Sequence, residues 1–528
     1  MSGIAQYMIQ HLLSAAAKDR GDAIAVVDGE RELSYADLDA RSDALAATMI
    51  ERGVGAGDRV GLLLEKSLES VVAIYATLKA GAAYVPLDDQ APVRRLAYIV
   101  SDAGIRCLVS SQAKAEVCQE LVAAGTPLET VLGAACPQAA GEPSEASVDF
   151  LPWQELEDSL HAPAIPRAIN PDELAYILYT SGSTGEPKGV MLSHANCLAF
   201  VEWAAEEVGV GPTDRLSSHA PFHFDLSTFD LFAAARGAAT LVLVARELSI
   251  FPVTLAKFIA EQSITVWYSV PSVLTALVLR GQLEQGSLPS LRAVIFAGEV
   301  FPVKYLSMLM ELLPGPRYLN FYGPTETNVC TWHEVQAEDL LADSLPIGRP
   351  IPGVSANVLG EDGAPAPAGE LGELVIGGPT VMHGYWGDAK RTARTLSLQD
   401  GARWYRTGDL VRQGEDGALL FAGRRDTQVK TRGYRVELSE IEAALNALDP
   451  VVEAAVIAVP DDTITNRLLA FVVTAEPIST PRLLDLCRER LPGYMIPQEV
   501  EFLAKLPKSS TGKVDRMALQ TATSTESS

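Results

Sequence analysis

At 528 residues the chain is too long for a single hydrophobic core, and its 48% hydrophobic and 21% charged residues are those of a globular protein with two to four compact units. A formal net charge of −25 and a pI of about 4.7 argue against nucleic acid and anionic membranes as partners, so any small anion needs a locally basic pocket. Cys107, Cys118, Cys136, Cys197, Cys330 and Cys487 form no CxxC pair, and neither a leader pattern nor an apolar run of membrane-spanning length is present, which predicts reduced thiols and a cytoplasmic location.

Ser34 opens a helical pattern with Leu38, Leu45, Ala46, Met49 and Ile50 on one face, closed by Gly53 and Gly55. A strand over 60–64 and a helix over 68–79 follow. This alternation predicts an α/β fold of mostly parallel sheets covered by helices. Residues 113–164, rich in Ala, Glu, Pro and Ser, read as surface elaboration. A strand over 173–180 then runs into Tyr179-Thr180-Ser181-Gly182-Ser183-Thr184-Gly185-Glu186-Pro187-Lys188-Gly189, where glycines, hydroxyls and a lysine suit a turn around anionic oxygens. Ser193 is placed to cap the next helix, through Phe200 to Glu207, which puts the loop on a strand-to-helix turn. Lys188 follows Gly185 by three, so the spacing is not that of GxxxxGK[ST], and by itself the loop is either a polyphosphate clamp or an ordinary flexible turn.

Apolar runs at 240–244, 265–270 and 293–296 continue the sheet pattern, and ligand sites in such sheets lie at the strand ends. Strand-and-turn spacing predicts a small β subdomain at about 345–423. Gly423-Arg424-Arg425-Asp426 reads as a linker between residues 1–423 and a small α+β domain at 424–528. In the latter, Ser439 and Glu442 fit a capping box, strands are expected at 452–459 and 467–473, Pro481 opens a helix, and the tail after Met517 should fray.

Eight stretches stand in a recognisable order and spacing over about residues 30–516. They are residues 78–88, the glycine loop, Phe224-Asp225-Leu226-Ser227, Tyr322-Gly323-Pro324-Thr325-Glu326, Gly372-Glu373-Leu374, Tyr405-Arg406-Thr407-Gly408-Asp409-Leu410, residues 423–442, and Pro507-Lys508-Ser509-Ser510-Thr511-Gly512-Lys513. With them the chain resembles the adenylate-forming superfamily, and within it the amino-acid adenylation domains of nonribosomal peptide synthesis.

That resemblance implies a two-step ligase. A carboxylate attacks the α-phosphate of ATP, giving an acyl-adenylate and pyrophosphate, and a thiol then takes the acyl group. Catalysis of this kind is largely positioning and charge stabilisation. The resemblance assigns the β- and γ-phosphates to Thr180, Ser181, Gly182, Ser183, Thr184, Gly185 and Lys188, the α-phosphate to Thr325, and Mg²⁺ to Glu326. It places Gly298, Glu299, Asn320, Phe321 and Tyr322 around adenine, Asp409 on the ribose hydroxyls and Arg424 beside it. Lys513 becomes the catalytic lysine bridging carboxylate and α-phosphate. Asp426 becomes the hinge about which the small domain swings, one orientation delivering Lys513 and the other the loop around Gly433.

Asp225 is implied as partner of a substrate α-ammonium, with Leu226, Phe229, Tyr268, Ile295, Ala297, Phe321, Val329 and Cys330 completing the pocket. A carboxylate in a dry wall needs such a cation. Three aromatics leave room for a small side chain: alanine or a similar amino acid first, proline second, a β-amino acid third. The expected acceptor is the phosphopantetheine thiol of a separate carrier protein, with the chain working free-standing in the biosynthesis of peptide or polyketide natural products such as antibiotics. The competing readings are a coenzyme A ligase of the same superfamily and a non-catalytic ATP-binding scaffold.

Overall fold

The computed structural model describes residues 8–137, 148–158, 170–183, 185–461, 463–508 and 514–526. Thr184 and Lys513 lie outside the described residues.

Two large sheets carry most of the chain. One has eight strands. Leu174–Thr180, Ala83–Pro86, Arg59–Leu63, Cys107–Ser110, Thr130–Gly133 and Asp149–Pro152 run parallel, and Lys188–Ser193 and Gly384–Tyr385 add an antiparallel edge. The other has fourteen strands, with a parallel half through Arg215–Ser218, Val266–Ser269, Ala293–Phe296 and Arg317–Tyr322. It continues antiparallel through Thr331–Glu334 and Pro346–Pro350 into Leu419–Arg424, Ala402–Gln413 and Leu371–Gly377. The β-rich stretch is therefore hydrogen-bonded onto the large sheet. The parallel strands are short apolar runs buried on both faces, as helix-covered sheets require. One hydrophobic cluster, including Val60, Tyr84, Tyr176, Phe200, Phe232, Tyr268 and Leu319, joins the two sheets.

From Gln428 onward the chain builds its own core. A hairpin of Gln428–Thr431 and Tyr434–Glu437 leads into the helix Leu438–Asn446. Val451–Asp461, Thr465–Thr474 and Glu499–Phe502 form a three-stranded sheet, and Val436, Ile441, Leu445, Val456, Leu468 and Leu483 pack beneath it.

Four local expectations need correction. The glycine loop joins the two strands of a β-hairpin, because residues 188–193 pair with 174–180 and bury Val190 and Leu192; the helix His194–Val208, capped by Ser193 as expected, comes one strand later. Residues 113–164 hold more than surface elaboration: the strand Thr130–Gly133 is wholly buried and extends the sheet. The helix Leu438–Asn446 begins at Leu438 with Glu437 as cap, and Glu442 accepts from the Val456 amide and Arg516 instead of closing a capping box. Beyond Met517 the chain continues the helix Arg516–Glu526, pinned by the buried Leu519.

Candidate active site

The C-terminal ends of the parallel strands converge on a cavity of about 100 Å³, where such sheets bind ligands. Thr180 and Ser181 come from the glycine loop, Asp225 and Leu226 from the turn after Arg215–Ser218, and Tyr268, Ala297 and Gly298 from the ends of the next two strands. Thr325 and Val329 follow Arg317–Tyr322, Asp409 and Arg424 lie on two paired antiparallel strands, and Lys430, Tyr434 and Arg435 come from the small hairpin.

Only glycine can occupy position 182, since a β-carbon there would lie 1.9 Å from the Glu186 carbonyl oxygen, and Gly185 takes a left-handed φ of +91°. The loop is covered by the small domain. The Ser181 hydroxyl donates to the Arg435 carbonyl at 2.8 Å, and the Gly182 amide donates to Glu440 at 3.0 Å. Ser183 is exposed, and the buried Thr180 hydroxyl has no hydrogen-bond partner among the described residues.

Glu326 is fully buried beside this loop. It accepts from the Tyr385 hydroxyl at 2.7 Å and from Arg435 at 2.5 Å, with Lys188 Nζ 3.7 Å away. Burial opposes ionisation of Glu326, but Arg435 and Lys188 outweigh it and hold the carboxyl well below its ordinary value. Burial, reinforced by Arg435, lowers Lys188 to about 8 against the pull of Glu326. Among the described residues no three His, Cys, Asp or Glu side chains gather as a metal cluster. The donor set nevertheless fits Mg²⁺ carried by a triphosphate, because one hard carboxylate suffices when phosphates and water complete the shell. In this arrangement Arg435 holds one of the two Glu326 oxygens.

Asp225 accepts from the Thr325 hydroxyl at 2.6 Å, and burial pushes its carboxyl above the ordinary value. Thr325 thus faces the Asp225 carboxylate in this arrangement. Phe229, Tyr268 and Phe321 meet edge to face, with centroids 5.6 to 6.5 Å apart, and of the three Tyr268 lines the cavity together with Asp225. Phe229, Ile295, Phe321 and Cys330 are fully buried and stand behind the cavity wall, not on it.

Asp409 accepts from the Tyr322 hydroxyl and pairs with Arg424, its register partner across the sheet. Arg424 also holds Asp426 through two hydrogen bonds of 2.7 Å. Asn320 donates to the Pro346 carbonyl at 2.8 Å. Glu299 accepts from the Gly433 amide at 2.5 Å and from the Ser272 amide at 2.9 Å, which docks the hairpin turn on the large domain. Gly433 has φ +82° and lies so close to Val270 that a β-carbon would meet it at 2.5 Å.

The structure adds residues that the sequence reading passed over. Arg435 and Lys430 belong to the hairpin, whose alternation of basic and apolar residues was the available signal. Arg95, paired with Glu440, sits on an amphipathic helix where an arginine reads as solvated. No helix among the described residues is long and apolar enough to cross a membrane.

Residues 13–386 match the AMP-binding enzyme family and residues 440–513 its C-terminal domain. The chain is 42% identical to an L-proline--[L-prolyl-carrier protein] ligase of Pseudomonas fluorescens over 94% of this chain and 95% of that one. It is 41% identical to a ligase of the same name from Streptomyces coelicolor, over 92% and 91%. Among solved structures it is similar to the Vibrio cholerae adenylation domain AlmE in complex with glycyl-adenosine-5'-phosphate, with a TM-score of 0.82 and 25% identity over 99% of each chain. A buried carboxylate beside a glycine loop, a fold of two sheets with a small C-terminal domain, and matches spanning both parts agree: the chain belongs to the AMP-binding enzyme family of adenylate-forming ligases.

Proposed function

We propose that the protein activates a small amino acid, proline foremost, as its aminoacyl-adenylate and loads it onto the phosphopantetheine thiol of a carrier protein. The observation that carries this reading is Asp225, a carboxylate set in the cavity wall with Tyr268, against which Phe229 and Phe321 pack. An α-ammonium or a proline ring nitrogen would pair with it, and a compact ring would fit against Tyr268, which Phe229 and Phe321 support from behind. The two proline-carrier ligases at 42% and 41% identity move proline ahead of alanine.

Residues 1–423 would form the adenylating body and residues 424–528 the mobile domain. In the first step the substrate carboxylate oxygen bonds to the α-phosphorus and the bond to the pyrophosphate oxygen breaks. The glycine loop and Lys188 would hold the departing phosphates, Asp409 the ribose and Tyr322 the adenine, with Thr325 at the α-phosphate. Glu326 would hold Mg²⁺, which neutralises phosphate charge when bound. Lys513 would bring the two anions together. In the second step a thiolate bonds to the acyl carbon and AMP leaves with the former mixed-anhydride electrons. The docked Gly433 turn suits this second step: a cleft of about 670 Å³ beside it shares His223, Phe224, Tyr434 and Tyr494 with the cavity and offers an approach for a long arm.

Pyrophosphate exchange across a panel of acids tests the first step. The strongest signal is expected with L-proline, and activity confined to fatty or aryl acids would reject Asp225 as an ammonium partner. Offering free coenzyme A and a holo carrier protein side by side tests the acceptor; turnover with coenzyme A alone would favour the coenzyme A ligase reading.

A further inference from the structure

Glu440 bridges the glycine loop and the helix Val93–Asp102 with its two carboxylate oxygens. One accepts the Gly182 amide at 3.0 Å, and the other pairs with Arg95. Both charged groups are buried, Glu440 at 1% exposure and Arg95 at 9%. Glu440 belongs to the small domain's helix Leu438–Asn446, whereas Arg95 and the loop belong to the large domain. The same helix presses Ala443 against Gly185, and the adjoining hairpin takes the Ser181 hydroxyl, so the loop is sealed on this side. If the small domain rotates away, Glu440 leaves with it. Arg95 then loses its closest partner and stands beside a free loop amide, where another anion can take the place of the carboxylate.

We infer that Arg95 and the Gly182 amide form an anion subsite that Glu440 fills in the present orientation and that the terminal phosphates of ATP, or free pyrophosphate, fill in the other. This rests on the reading of the glycine loop as a polyphosphate clamp, and adds to it a cation from a separate helix and a competitor built into the chain. Paired hydrogen bonds from a guanidinium suit phosphate as well as carboxylate, so one site serves both. The consequence is mutual exclusion: ATP entry expels Glu440 and frees the small domain, and pyrophosphate departure lets Glu440 return.

The test measures the KM values of MgATP, magnesium pyrophosphate and the amino acid in exchange assays on the full chain. Arg95→Met should raise both phosphate KM values by about tenfold, as loss of one charge-assisted pair does, with the amino-acid KM unchanged and partial recovery in Arg95→Lys. Glu440→Gln should lower both phosphate KM values, since the competing charge is gone. Arg95→Met strands the Glu440 charge, so the double variant with Glu440→Gln is measured beside it and should show the same rise relative to Glu440→Gln alone. Unchanged phosphate KM values in the Arg95 variants, or weaker pyrophosphate binding in Glu440→Gln, would overturn the inference. Lys188→Ala separates the two readings: if it weakens ATP while Arg95→Met does not, only the Arg95 subsite fails, and if neither variant does, the loop itself is not a phosphate clamp.

Discussion

Arg435 of the small hairpin donates to the Glu326 carboxylate at 2.5 Å, on the oxygen for which the proposed Mg²⁺ would compete. The pair spans the two parts of the chain and neutralises a carboxylate with no exposed surface. On the proposed function Glu326 would have one partner in each orientation of the small domain: Arg435 when the hairpin is docked, and Mg²⁺ with ATP when it is not.

Arg435→Met should on that account affect the two half-reactions unequally. Removing one member of a buried ion pair costs about 3–5 kcal/mol in the state that contains the pair. Here that state is the docked one. Single-turnover transfer from preformed aminoacyl-adenylate to carrier protein is expected to fall at least about tenfold. Pyrophosphate exchange should hold or rise. Equal losses in both assays would place Arg435 in the general scaffold.

Asp225→Ala should raise the amino-acid KM and lower activation by tens- to thousands-fold, following the roughly 2–5 kcal/mol typical of a truncated buried charge pair. The ATP KM should stay near that of the parent, because the Asp225 carboxylate is held by the Thr325 hydroxyl and not by the glycine loop. A matching rise in both KM values would mean that the Thr325 turn has collapsed.

The architecture was legible where one segment carries its own pattern. Ser34 and Ser193 cap the helices expected of them, and short apolar runs such as 293–296 form buried parallel strands. The gathering of Asp225, Thr325 and Asp409 was legible only through the resemblance. What escaped depends on partners far along the chain. Residues 188–193 read as a lead-in to a helix because their strand pairing is set by 174–180, and Arg435 reaches Glu326 across 109 residues, as Glu440 reaches Gly182 across 258. No local period encodes such pairs, and the Arg95–Glu440 pair likewise joins residues 345 apart.

Lys513→Ala should nearly abolish adenylation yet spare transfer from preformed adenylate. The prediction follows from the division of labour that the family resemblance implies, in which Lys513 would serve the α-phosphate in the first step and the Gly433 turn would serve the second. Stopped-flow measurement of each half-reaction checks it. Comparable loss of both would require Lys513 to act in transfer as well.

Lys188 gives the site a pH dependence whose sign can be worked out. Burial and Arg435 lower it to about 8 from an ordinary 10.5. Between those values the unfolded chain binds a proton that the folded chain does not, so the contribution of Lys188 to stability rises with pH across that window. Its service to phosphate runs the other way, because only the ammonium attracts an anion. The kcat/KM for ATP should therefore fall as pH rises through about 8, while the amino-acid KM stays level. Lys188→Arg, which keeps its charge throughout, should flatten that limb. An unchanged alkaline limb in Lys188→Arg would assign the titration to another group and leave Lys188 without a charge role in binding ATP.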